Sequence, residues 1–158
     1  MKTATIKVLK DELEHQNSKE LLELCLKLIR FKKENKELLT YLLFEAHNEE
    51  QYRETVKKEI DVLFSEVNTK SYFYIRKSVR KILTTTKRYI RYSKNKETEI
   101  ELLLYFCLQL KNVKPSIKKS PRIQNVLITQ VRLIRKGIDK LHEDLQFDYN
   151  EKLIELDL

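Results

Sequence analysis

Arg76, Lys77, Arg80, Lys81, Lys87, Arg88 and Arg91 recur three and four residues apart, and no acidic residue interrupts the chain between Glu66 and Glu97, where ten Lys or Arg stand. Cations at that spacing do ionic chemistry: they meet the phosphates of a polyanion or the carboxylates of an acidic protein. Drawn as a helix, the same stretch sets Tyr72, Ile75, Val79, Ile82, Leu83, Thr86, Tyr89 and Ile90 on the opposite face. One face is core and the other is cationic. Like charges four apart, as in Arg76 with Arg80, Lys77 with Lys81 and Lys87 with Arg91, each cost about 0.2 to 0.5 kcal/mol, so the isolated helix gives up about 1 kcal/mol. Either an external polyanion, the chain's own carboxylates or solvent alone covers that face.

A second group of cations, Lys118, Lys119 and Arg122, flanks a strong helix start at Ser120 and Pro121. Proline suits the first helical position, and the free N–H groups there favour anions. Phe73 falls on the cationic face, where an exposed ring can stack on a nucleic-acid base. Packing of first-turn aromatics against the preceding loop is the commoner arrangement. The polyanion-binding set expected from sequence is therefore Arg76, Lys77, Arg80, Lys81, Lys87, Arg88, Arg91, Lys118, Lys119 and Arg122, with Phe73 as a stacking residue.

Other chemistry finds little support. His15, His47 and His142 stand alone, without metal-ligand spacing, and one glycine in the whole chain excludes Walker A and Rossmann fingerprints, which need several. Cys25 and Cys107 lie on apolar helix faces and read as buried structural thiols. No catalytic residue, metal site or cofactor is expected, and the chain reads as a non-enzyme.

These residues must be positioned by helices. One Gly and two Pro in 158 residues leave little turn chemistry for hairpins, and the apolar residues recur with helical period. The expected fold is all-α, about seven helices with no β-sheet, in a single domain over residues 1–158. Residues 4–15 make a short amphipathic helix. Asn17 with Glu20 caps a helix to about Phe31, which reads as core, and Leu38 to Phe44 is apolar nearly all round, as in a helix buried between others. Asn48 with Gln51 opens a helix to about Val67, Ser71 caps the basic helix, and Thr98 with Glu101 starts the next. Leu127, Val131, Ile134, Ile138, Leu141 and Leu145 form one seam, predicting a helix from Pro121 to about Gln146. A short acidic helix follows from about Asn150.

Three internal matches occur in order. Leu28-Ile29-Arg30-Phe31 matches Tyr89-Ile90-Arg91-Tyr92, Glu37-Leu38-Leu39 with Tyr41 matches Glu101-Leu102-Leu103 with Tyr105, and Lys58, Ile60, Asp61 and Leu63 match Lys136, Ile138, Asp139 and Leu141. They suggest two stacked three-helix repeats, about 18–67 and 71–146, with an acidic segment 147–158. The arrangement resembles the broad HEAT and armadillo class of α-solenoids, though it carries no consensus motif of either.

Charge is unevenly spread beneath a net charge of +8: residues 1–69 hold 12 basic and 14 acidic side chains, 70–140 hold 19 and 4, and 141–158 hold 1 and 6, giving −2, +15 and −5. The middle calls for an anionic partner, or for the acidic tail as an intramolecular cover. The leading expectation is a helical-repeat adaptor for a nucleic acid or other polyanion. The alternative is a protein-interaction scaffold, holding an acidic protein partner or forming a homo-oligomer through the helix over 121–146. No apolar run is long enough for transmembrane insertion and the first residues lack a signal-peptide stretch, so the expected location is cytoplasmic.

Overall fold

The computed structural model describes residues 1–158, and it is all-helical. Eight α-helices are present rather than about seven: α1 (Ile6–Glu14), α2 (Ser18–Phe31), α3 (Lys33–Thr40), α4 (Glu49–Ser65), α5 (Tyr72–Ser93), α6 (Lys96–Asn112), α7 (Pro121–Ile138) and α8 (Glu143–Glu155). A π-helical turn, Tyr41–Glu45, follows α3, and a 3₁₀ turn, Ile117–Lys119, precedes α7. No helix is long and apolar enough to cross a membrane. The chain divides into two compact units, Met1–Phe44 and Glu45–Leu158. That division falls inside the first of the two expected repeat copies.

In the first unit α2 packs on α3. Asn17 caps α2, its side-chain oxygen accepting from the N–H groups of Lys19 and Glu20 while Glu20 reaches back to the Asn17 N–H at 2.9 Å. Asn35 closes the connection to α3 by donating to the Leu28 carbonyl at 2.7 Å. The expectation that α2 is core fails here, because α1, α2 and α3 contain no buried residue. Leu42, Leu43 and Phe44 are likewise exposed, at 55%, 62% and 66%, and Tyr41 is the unit's one buried side chain. An amphipathic helix buries its apolar stripe only where another layer covers it. Three short helices supply too few layers.

The second unit is built around α6, whose Ile100, Leu102, Leu103, Leu104, Phe106, Cys107 and Leu110 are all buried. Its apolar residues face every direction because α4, α5 and α7 each pack against it. Tyr52, Val56 and Ile60 reach inward from α4, and Ile123, Ile134 and Ile138 from α7. The chain's one glycine, Gly137, permits a close approach to α6: a Cβ there would stand 3.0 Å from Ile100 Cγ1. Ile134 and Ile138, two members of the seam expected over 121–146, are thus buried in this unit's own core.

Three boundaries differ from those the sequence suggests, the first being that the acidic helix expected from about Asn150 begins at Glu143. The helix expected from Pro121 to Gln146 ends at Ile138, where a tight turn (Lys140 N–H to Gly137 carbonyl, 3.0 Å) redirects the chain, and His142 Nδ1 caps the new helix α8. Leu141 and Leu145 keep the apolar spacing across that turn, which is why periodicity alone runs through it. The start expected at Thr98 lies earlier, at Asn95, whose side chain accepts from the Thr98 N–H at 3.1 Å. Thr98 itself is buried and its hydroxyl donates to Glu49 on α4 at 2.7 Å.

Candidate nucleic-acid interface

The direction of the basic face is set by what α5 buries. Ile75, Val79, Ile82, Thr86 and Ile90 are all buried against the unit's core, with α4 and α6 as the neighbouring helices. Thr86 satisfies its hydroxyl locally, donating to the Ile82 carbonyl at 3.0 Å. Tyr52 pins the C-terminal half from α4 by donating to the Tyr89 carbonyl at 3.0 Å. Rotation of α5 would take five side chains out of the core. The residues on its other side are consequently held outward: Lys77, Arg80, Lys81 and Arg91 are exposed, and Arg76, Lys87 and Arg88 are half-buried.

Helix α5 ends where Lys94 adopts a left-handed conformation, φ 56°, and its N–H bonds the Ile90 carbonyl at 3.0 Å. At the other end Ser71 is extended but makes no side-chain cap bond, contrary to expectation. The row from Arg76 to Arg91 extends about 22 Å at 1.5 Å per residue, the rise of about six base pairs along a duplex strand. None of Arg76, Lys77, Arg80, Lys81, Lys87 and Arg91 forms an ion pair.

Aromatics lie among these cations. Phe73 is 59% exposed, with the Arg76 guanidinium 5.7 Å from its ring centre and the Tyr74 ring edge-on at 5.4 Å. Arg88 lies 5.6 Å from the Tyr89 ring. Of the three first-turn aromatics, Tyr72 is the one that makes a contact outside the helix: its hydroxyl donates to the Ser116 carbonyl at 2.9 Å. That bond ties the first turn of α5 to the basic loop. Buried Ile117 anchors the loop, leaving Lys118 and Lys119 exposed on the 3₁₀ turn. Arg122 is exposed in the first turn of α7. Lys118, Lys119 and Arg122 also make no ion pair.

Ion pairs join α4 to α6. Arg53 and Lys57 of α4 reach Glu101 of α6 at 2.9 and 2.5 Å, and Arg53 stands 3.9 Å from Glu97. Farther along, Asp61 accepts from the Tyr105 hydroxyl and from Gln109 Nε2. Burial opposes the charged form of Lys57, but its hydrogen bonds to Glu101 and Glu54 outweigh that and raise its pKa. Burial and the Asp61 hydrogen bond push the Tyr105 phenol up. This ladder was missed in sequence because each helix alone shows ordinary mixed charge. Its signal is matched four-residue spacing, with Arg53, Lys57 and Asp61 facing Glu97, Glu101, Tyr105 and Gln109.

The acidic C-terminal segment docks away from α5. Tyr149 donates to Glu97 at 3.1 Å, Lys111 bonds the Leu156 carbonyl at 2.7 Å, and Arg135 bonds the Leu158 carbonyl at 2.9 Å. Of the two thiols, Cys107 is buried as expected and burial pushes its pKa up to about 12, whereas Cys25 is exposed. The expected burial of Cys25 fails with that of its helix. Compared with protein-family models, with curated proteins and with solved structures, the chain matches none.

Proposed function

We propose that this chain is a non-enzymatic binding protein of the cytoplasm that holds a nucleic acid along the outward face of α5, extended by Lys118, Lys119 and Arg122. One observation carries the reading: a row of cations fixed by a deeply buried apolar face, with six of its seven members making no ion pair while Arg53 and Lys57 are both paired with Glu101. Phosphates supply the negative charge that row lacks, and their attraction needs no sequence readout. Exposed Phe73 beside Arg76 offers a stacking surface, which favours a single strand over a duplex. In a fold of two repeats the basic helix and the basic loop belong to one copy, residues 71–146.

The test is a titration of a labelled single-stranded oligonucleotide across salt concentrations. Affinity falls with salt, each neutralised phosphate adding about −0.7 to the log-log slope. Arg80→Glu, Lys87→Glu and Arg91→Glu together abolish binding with helicity retained. Equal binding by the wild type and this triple variant overturns the reading.

A further inference from the structure

The first unit poses a separate question. Residues 1–44 carry fourteen of the chain's twenty-one exposed large apolar side chains. All but Met1 are spread over α1 to α3 and the turn after them; a monomer's largest contiguous apolar patch is about 300 to 600 Å², and a stable interface takes about 800 Å² from each partner. Between α1 and α2 lies an open cleft of about 720 Å³, walled by Leu9, Leu13, Leu24, Leu28 and Phe31. The charges beside it say what fits.

Along α2, Glu20, Glu23, Lys27 and Arg30 are spaced three, four and three apart, so they form one exposed stripe, acidic in its first half and basic in its second. Leu21, Leu24, Leu28 and Phe31 follow one residue behind each, forming an apolar seam alongside it. A second α2 laid antiparallel, in a register centred at Cys25, sets Glu20 opposite Arg30 and Glu23 opposite Lys27, each pair twice by symmetry. None of Glu23, Lys27 and Arg30 has an ion-pair partner within the chain. The stripe is complementary to itself. It offers an anionic membrane surface no such match, since its acidic half repels one.

We propose that residues 1–44 are a homodimerisation unit in which α2 pairs antiparallel with α2 of a second copy of this chain, the apolar seams meeting over the cleft beside α1. The pairing is isologous: each copy gives and receives the same contacts. It is independent of the α5 face, which belongs to the other compact unit.

Sedimentation equilibrium of the full chain over a wide concentration range tests it. The wild type sediments as a dimer, and Leu24→Glu with Leu28→Glu, two positions already 38% and 59% exposed, yields a monomer of unchanged helicity. Charge variants separate this register from nonspecific stickiness. Glu20→Lys with Glu23→Lys makes the stripe wholly basic, and Lys27→Glu with Arg30→Glu makes it wholly acidic. Each alone dimerises at least about tenfold more weakly than wild type, and the two mixed form a heterodimer. A wild type that stays monomeric at the highest concentration overturns the proposal, whether or not it cosediments with phosphatidylserine vesicles. So does dimerisation that both charge variants retain when alone.

Discussion

The guanidinium of Arg53 on α4 meets the carboxylate of Glu101 on α6 at 2.9 Å, and both side chains are largely covered, at 15% and 23% exposure. Glu101 also receives Lys57, so this carboxylate is shared by two cations whose charges are partly taken from water, with Glu54 as a further partner of Lys57 and Glu97 near Arg53. Removing a partner from a desolvated pair costs more than the pair itself contributes, because the charge left behind keeps its desolvation penalty.

Glu101→Ala therefore lowers stability by about 1 to 3 kcal/mol, read as a drop in the urea midpoint. In that background Arg53→Ala costs less than it does in the wild type. A double-mutant cycle on the two positions shows a coupling of about 0.5 kcal/mol or more. Purely additive losses would remove Glu101 from the bond between α4 and α6.

Cys107 sets an alkaline limit. Its thiol titrates near 12 in the folded chain against an ordinary 9.0, so the unfolded chain releases this proton first. Stability from this group is whole below about pH 9 and falls by about 1.4 kcal/mol per pH unit between there and about pH 12. Burial also raises the Tyr149 and Tyr105 phenols, and their loss has the same sign above about pH 10. Urea melts at stepped pH check this: Cys107→Ala flattens the decline that begins near pH 9. With an aromatic disulfide reagent, one of the two thiols reacts in the native protein and the second only after unfolding.

Deleting residues 147–158 removes Tyr149 and Leu153, which are 3% and 1% exposed. Two such side chains account for about 3 to 6 kcal/mol, a large part of the 5 to 15 kcal/mol that holds a domain folded. The shortened chain melts well below the full one, and Leu153→Ala alone costs about 2 to 5 kcal/mol. An unchanged melting temperature after the deletion would mean that α8 does not dock.

What the sequence revealed was local. The caps at Asn17 and Asn48, the proline start at Pro121 and the two faces of α5 follow from a few residues each, and the structure shows all of them. What it hid depends on a partner distant in sequence. An apolar stripe such as Leu21, Leu24 and Leu28 looks the same whether or not another layer covers it, so the openness of α1 to α3 was invisible. The turn after Ile138 was hidden because the stripe continues through it. On α4, Arg53 and Lys57 looked like solvated charge until α6 placed Glu101 opposite them. At the basic face, the identity of the cations was legible, and the absence of ion pairs at Arg76, Lys77, Arg80, Lys81, Lys87 and Arg91 was not.

Of the chain's 24 buried side chains, all but Tyr41 belong to residues 45–158. The heat-capacity change of unfolding comes mainly from apolar surface newly exposed to water, at about 12 to 15 cal/mol/K per residue in an ordinary domain. Within one chain residues 1–44 add length while withholding little such surface, so the monomeric protein falls below that per-residue figure. Its stability curve against temperature is accordingly flatter than its length implies, and the curvature it does have is the property of α4 to α8.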